Sequence, residues 1–199
     1  ESKIMTRISP LADSHKTGLF GDYKNQNESD LLIIREVTNV KIYQVVQYKS
    51  SQLDINSITL NDLNFPINPG NVAENSKTRI QWNAPKTWTL LSSDEAILDQ
   101  ILKKCPENDF AITDQSHSRA IIQIEGKKAF DIIKKGSPLN LNDFKKNNCA
   151  NSVYHGITIS IDMLNDSPNK FNIMALRSFA GSFHHAITDA ALEFGYKGL

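Results

Sequence analysis

Several common signatures are missing from this sequence, and each absence removes a class of function. Two cysteines stand in 199 residues, Cys105 and Cys149, far apart along the chain. A metal site wants close pairs such as C-x-x-C and a disulfide scaffold wants many more, so two reduced thiols in a reducing compartment are expected. The charge is balanced, 22 basic against 22 acidic residues, whereas nucleic-acid binders carry a basic excess. No apolar run nears the ~20 residues of a membrane helix. The longest early run, Leu31 to Ile34, lies between Asp30 and Arg35 and is too short for a signal-peptide core. Neither G-x-G-x-x-G nor G-x-x-x-x-G-K-[ST] nor H-E-x-x-H occurs, and Gly18-Leu19-Phe20-Gly21 is too short a match to carry meaning.

What remains is a chain of globular composition, 40% hydrophobic and 22% charged, able to hide roughly 70% of its extended surface on folding. It opens at Glu1 with no methionine, which leaves room for a missing start. A cytoplasmic location is expected, and the sequons at Asn27 and Asn165 then count as accidental. The lysine doublets at 103–104, 127–128, 134–135 and 145–146 are interleaved with acidic residues and read as solvated faces.

Residues 1–30 are polar, with Leu11, Leu19, Phe20 and Tyr23 as anchors, and read as an extended tail. A strand is expected at 31–37. A second follows with Val40, Ile42, Val46 and Tyr48 on its buried face, interrupted by Gln44. Leu53, Ile58, Leu60 and Leu63 allow a short helix over 51–63. Residues 78–82 and 88–91 form a strand pair around Ala84-Pro85-Lys86. Ser92 and Glu95 have capping-box spacing ahead of a helix with Ala96, Ile97, Ile101 and Leu102 on one face, stopped by Pro106. A strand at 110–113 completes a β-α-β-β-α-β order, the ferredoxin-like pattern.

A second unit follows. Ala120, Ile122 and Ile124 alternate as a strand, with Ile121 as an unpatterned apolar residue. After Gly126 comes a helix with Ala129, Phe130, Ile132 and Ile133, where Gly136 is expected as a left-handed cap. Two more strands carry Ile157, Ile159, Ile161 and Phe171, Ile173, Ala175. The last helix is expected to start at Ser178, bury Phe179, Phe183, Ile187, Ala190 or Ala191 and Phe194, and end at Gly195. The fold class is α+β in two small domains, 31–113 and 114–199, behind a tail of 1–30.

The candidate chemistry is thin. The histidines are scattered, and adjacent helical His184 and His185 point about 100° apart, which argues against a shared metal. Asp114, Ser116 and His117 are triad residue types, yet neighbours in one extended segment do not converge; Asp114 and Ser116 are expected to bond local backbone at a bend. Trp82 and Trp88 read equally as buried indoles or interface anchors. Arg177 reads as a cation for a partner's carboxylate or as a plain surface residue.

Four segments together resemble the gamma subunit of heterotetrameric sarcosine oxidases: Ser9-Pro10-Leu11-Ala12; Ile80-Gln81-Trp82-Asn83-Ala84-Pro85-Lys86-Thr87-Trp88; the run from Ala111 through Asp114-Gln115-Ser116, Ile124-Glu125-Gly126, Ala129 and Lys135-Gly136-Ser137-Pro138-Leu139-Asn140-Leu141; and Arg177-Ser178-Phe179-Ala180 through Ala190-Ala191-Leu192-Glu193-Phe194-Gly195. The third also resembles the start of the folate-binding domain of glycine-cleavage aminomethyltransferases, which implies a truncated relative of that fold. Asn83 and Asn140 depart from an expected glycine and aspartate, making ligand chemistry there less expected. The resemblance implies a non-catalytic subunit of an oxidoreductase complex that demethylates sarcosine with tetrahydrofolate and oxygen. Its partners would be the alpha, beta and delta subunits. FAD, FMN, NAD, tetrahydrofolate and zinc are expected on those partners and none on this chain. Interface or structural roles would fall to Trp82, Trp88, Asp114, Ser116, Gly126, Arg177 and Phe179. Two other readings are a binding module for folate or another one-carbon carrier, which predicts a deep cavity near Asp114 with a carboxylate at its base, and an aminomethyltransferase-like enzyme.

Overall fold

The computed structural model describes residues 8–199; the first seven residues of the expected tail lie outside them. In chain order the strands are β1 (Gly18–Phe20), β2 (Leu32–Glu36) and β3 (Lys41–Gln47). A small hairpin, β4 (Thr59–Leu60) and β5 (Leu63–Asn64), precedes β6 (Val72–Glu74), β7 (Thr78–Ala84) and β8 (Thr87–Ser92). Helix α1 (Ile97–Lys104) leads to β9 (Phe110–Asp114) and β10 (Arg119–Glu125). Helix α2 (Ala129–Gly136) is followed by β11 (Cys149–Tyr154), β12 (Ile157–Asp166) and β13 (Asn169–Leu176). Helix α3 (Ala180–Ala191) and β14 (Tyr196–Gly198) end the chain.

Two sheets result. One has seven strands in the order β1-β14-β2-β10-β13-β12-β11; the other has five, β6-β7-β8-β3-β9. Pairing is antiparallel throughout both except for parallel β14 and β2. The expected boundary at residue 31 therefore does not follow the sheets. Part of the tail becomes β1, and β2 pairs with β10, so both belong to the larger sheet.

Side-chain parity sets the layers. On the seven-stranded sheet Ile122, Ile124, Ile161, Phe171 and Ile173 face α2 and α3 in the larger core. On the five-stranded sheet Tyr43, Val45, Ile80, Trp88 and Leu90 face α1 and the hairpin in a second core. The other two faces meet, through a small cluster of Ile42, Leu91 and Ile121 with Met174, Val37 and Val40 at its rim. The order of layers is helix, sheet, sheet, helix. Ile121 is the apolar residue that broke the strand pattern, and this cluster is its reason. Strand β3 is shifted in phase for the same cause: the core takes Tyr43, Val45 and Gln47, while Val46 is half-buried and Tyr48 exposed.

Several expected local features come out differently. Residues 51–63 form no α-helix. The Asp54 side chain accepts from the Asn56 N–H to start a 3₁₀ turn at Ile55–Ser57. Asn61 and Asp62 both take positive φ, the two-residue hairpin turn in which such residues are favoured. Gln100 and Thr78 hold Asn61 in place. The capping box does not form: Ser92 Oγ accepts from Asp94 N–H, Glu95 pairs with Lys41, and α1 begins at Ile97 with Leu102 and Ala96 exposed. A 3₁₀ turn at Arg177–Phe179 precedes α3, leaving Phe179 exposed, whereas Phe183, Ile187, Ala190 and Ala191 are buried as expected. Gly195 does take the positive φ of a helix end, 68°.

Gly136 is required for space. It ends α2 with ordinary helical backbone, and a Cβ there would stand 2.6 Å from the ring of Tyr154. That ring is fully buried and its hydroxyl donates to the Ile132 carbonyl at 3.0 Å. At the other side of the core, buried His184 on α3 meets His15 of the N-terminal segment, Nε2 to Nδ1 at 3.1 Å. The other His15 nitrogen reaches the Leu199 carbonyl at 2.8 Å. Burial, then the neighbouring His15 and His185, push the His184 imidazole down to about 4. Among the described residues no helix is long and apolar enough to cross a membrane.

Two outcomes test this packing. Gly136→Ala is expected to lower unfolding free energy by about 1–3 kcal/mol through overpacking, while Gly181→Ala, in the first turn of α3 with its new Cβ at 3.6 Å from the nearest atom, gains about 0.4–1 kcal/mol by lowering unfolded-chain entropy; urea unfolding measures both. His184 resists protonation in the fold but accepts a proton near ~6.5 when unfolded. Its contribution is thus fully present above that value and is lost as pH falls toward about 4. Chemical denaturation across this window is expected to show a slope for the native chain that His184→Gln flattens.

Candidate functional site

The facing sheets are joined on one side by charge. Arg79 on β7 meets Asp162 on β12 fork to fork, Nε to Oδ2 at 2.8 Å and Nη2 to Oδ1 at 2.7 Å. Arg79 also pairs with Glu74 on β6 and donates to Asn147 Oδ1 at 3.2 Å. Gln81 Nε2 donates to Asp162 at 2.9 Å. Glu74 in turn takes Lys146 at 2.7 Å and the Asn147 amide at 3.1 Å. Asp162 is 2% exposed, so its charge rests on these partners. Burial alone would raise the Glu74 carboxyl, but the bonds from Lys146 and Asn147 and the charge of Arg79 hold it below the usual carboxylate range. Cys149 lies beside this network, and burial with the Asp162 charge pushes its thiol up to about 12. Burial likewise pushes Cys105 up to about 11. Both cysteines are free and buried, and neither is a thiolate nucleophile at neutral pH.

Beside this clamp and the adjoining Ile42–Leu91–Ile121 cluster, farther along the strands, the sheets leave a cleft of about 400 Å³. The five-stranded sheet lines it with Gln44, Asn83, Thr87 and Thr89; the other sheet brings Arg119, Asn151, Thr158 and Ser160. Gln115 and Met174 close the sides. The lining holds amides, hydroxyls and one guanidinium, with no carboxylate, histidine or thiol. Arg119 Nε donates to Gln115 Oε1 at 3.3 Å. Among the described residues Arg119 has no acidic partner within ion-pair distance, and burial lowers its pKa. The described residues contain no group of three or more metal-ligating side chains.

The expected site residues do not converge. Asp114 Oδ1 accepts from the Ser116 N–H at 2.8 Å; burial would raise its carboxyl, but the Ser116 bonds hold it low. Asp114 is exposed and outside the cleft lining, so no carboxylate stands at the base of this cleft. Ser116 reaches further than a local bend: its Oγ accepts from the Ile42 N–H at 2.9 Å and ties the β9–β10 connection to the start of β3. Trp88 is buried, its indole N–H donating to the Pro66 carbonyl at 2.7 Å, and Trp82 is half-buried. Gly126 has φ 135° at the turn into α2. Arg177 donates to the Ile8 carbonyl at 2.7 Å, beside exposed Phe179. Asn83, where ligand chemistry was not expected, does face the cleft and donates to Thr89. Sequence reasoning passed over Arg119. The available signal was Ile121 two residues on, since an apolar residue on the polar face of a strand marks that face as covered.

No protein-family model matches the chain, and no curated protein matches it in sequence. Solved structures do match. A chain of the heterotetrameric sarcosine oxidase from Corynebacterium sp. U-96, solved with pyrrole 2-carboxylate, superposes with a TM-score of 0.77 at 21% identity, over 94% of this chain and 96% of that one. The glycine cleavage system aminomethyltransferase T from Bartonella henselae gives 0.63 at 12% identity, over 92% of this chain and 57% of that enzyme. The chain spans little more than half the aminomethyltransferase. At these identities the likeness is one of fold: a mixed α/β arrangement of several sheets common to both.

The clamp has a measurable weight. Asp162→Ala leaves a buried guanidinium without its main partner and is expected to cost about 3–5 kcal/mol. Arg79→Met with Asp162→Leu removes both charges and is expected to recover most of that loss in thermal or denaturant unfolding.

Proposed function

We propose that the chain is the gamma subunit of a heterotetrameric sarcosine oxidase, an accessory chain without a catalytic centre of its own. The carrying observation is the extent of the structural match. This chain and a single chain of the four-subunit oxidase span each other almost end to end, whereas 43% (100 − 57) of the aminomethyltransferase has no counterpart here. An aminomethyltransferase-like enzyme would need chemistry that the cleft lining does not offer. The complex would convert sarcosine to glycine with tetrahydrofolate and oxygen, giving methylenetetrahydrofolate and hydrogen peroxide. FAD, FMN, NAD, tetrahydrofolate and zinc would sit on the alpha, beta and delta subunits. The alternative of a folate-binding module predicted a carboxylate at a cavity base, and the carboxylates near this cleft are engaged elsewhere.

The surface that best fits a partner is the corner where Ile8, Leu176 and Phe179 stand exposed around Arg177. Phe179 is 46% exposed at the rim of α3, and an exposed aromatic beside an anchored arginine has the composition of an interface hot spot.

A tagged chain drawn from its native cell extract is expected to bring down larger flavin-containing subunits in fixed stoichiometry, read by flavin absorbance. Phe179→Asp should reduce that recovery about tenfold or more, a loss of one hot-spot contact. Elution of the chain alone, with tetrahydrofolate binding in calorimetry, would replace this reading with the binding module.

A further inference from the structure

The cleft between the sheets holds a charge that the chain itself does not neutralise. Arg119 projects from β10 on the same face as Ile121, toward the five-stranded sheet, and one hydrogen bond from its Nε to Gln115 orients it. Its terminal guanidinium nitrogens have no hydrogen-bond or ion-pair partner among the described residues. The nearby carboxylates stand outside ion-pair distance of Arg119: Asp162 pairs with Arg79 and accepts from Gln81, Asp114 accepts from the Ser116 amide, and Glu36, on a smaller pocket that Arg119 also borders, accepts from the Ser9 hydroxyl. A guanidinium drawn partly out of water with no counter-charge is costly, and a planar anion taken up by its two free nitrogens offsets that cost.

We propose that this cleft binds a small organic carboxylate with a polar body. One guanidinium matches a single negative charge; a phosphate dianion calls for more cations than the lining holds. The volume of about 400 Å³ falls in the range of small-molecule sites and far exceeds a bare carboxylate. The lining adds Asn83 and Thr89 on the facing sheet and Asn151, Thr158 and Ser160 on Arg119's own sheet, side chains that both donate and accept. They suit a ligand body bearing hydroxyl or amide groups, such as a hydroxy acid. The strands carrying these groups are held together by the clamp and the neighbouring Ile42–Leu91–Ile121 cluster, so the site is formed before the ligand arrives. This inference stands apart from the accessory-subunit reading, because it concerns a ligand of this chain alone and its test needs no partner.

The test follows the Arg119 Nε–Hε signal by nitrogen-15 NMR on the full chain, with acetate, gluconate and glucose as probes and chloride at matched ionic strength. Acetate and gluconate are expected to shift this signal saturably, gluconate about tenfold more tightly through its extra hydrogen bonds, and glucose far more weakly. Calorimetry should lose gluconate binding in Arg119→Gln, with unfolding temperature confirming the fold. Asn151→Leu, on the edge strand of the same sheet, should weaken gluconate several-fold and leave acetate unchanged, which keeps the test decisive if the arginine variant fails to fold. A signal that answers chloride as it answers carboxylate, or no saturable response to either carboxylate, overturns the proposal.

Discussion

The fold depends on one buried ion pair, Arg79 with Asp162. Each of the two sheets has its own helix-covered core and would otherwise present a polar face to water. Bidentate bonds at 2.7 and 2.8 Å, backed by Glu74, Gln81, Asn147 and Lys146, turn those two polar faces toward each other. Buried pairs of this kind contribute little net stability against an apolar replacement. Their effect is on specificity: Asp162 has partners at one register only, so the sheets meet in one alignment.

The rest of the inter-sheet layer follows from where that clamp sits. It fixes β7 against β12, and the apolar cluster of Ile42, Leu91 and Ile121 packs next to it across the strands. Farther along the strands, hydroxyl and amide side chains are too short and too polar to fill the gap by close packing, and a cleft results. Ser116 reinforces the geometry by binding the backbone of Ile42, so the connection that delivers Arg119 is tied to the strand that supplies the cluster. A guanidinium on β10 thus faces a wall of uncharged hydrogen-bonding groups at a fixed distance.

The same arrangement bears on the assembly reading. The chain's chemistry-bearing residue types are dispersed, its thiols are buried and protonated, and two of its five histidines, His15 and His184, are engaged with each other, His15 also with backbone. Among the exposed apolar side chains, Ile8, Leu176 and Phe179 stand at the junction of the N-terminal segment and α3, where Arg177 holds the Ile8 carbonyl. A rigid double-sheet body with a small apolar corner is what an accessory chain needs in order to dock without reacting.

The positions of β2, β7, β8, β9, β10, β12, β13 and the buried faces of α2 and α3 were legible in the sequence, because period-2 and period-3.6 patterns record burial directly. So was the local backbone role of Asp114, whose carboxylate accepts from the Ser116 N–H. Residues 51–63 misled because a leucine on each side of a hairpin turn, buried Leu60 and half-buried Leu63, imitates helical spacing. Gly136 misled because its reason is Tyr154, eighteen residues away in sequence (154 − 136 = 18). The roles of Arg79, Gln81 and Arg119 went unread, because a polar face buried against another polar face leaves no mark in hydropathy. The sequence by itself determined where the longer strands and the helices α1 to α3 lie and most of their apolar faces, because burial is written directly in their periodicity. Only the tertiary structure decided that the polar faces of two sheets meet, since that depends on charge pairs formed between strands far apart in the chain.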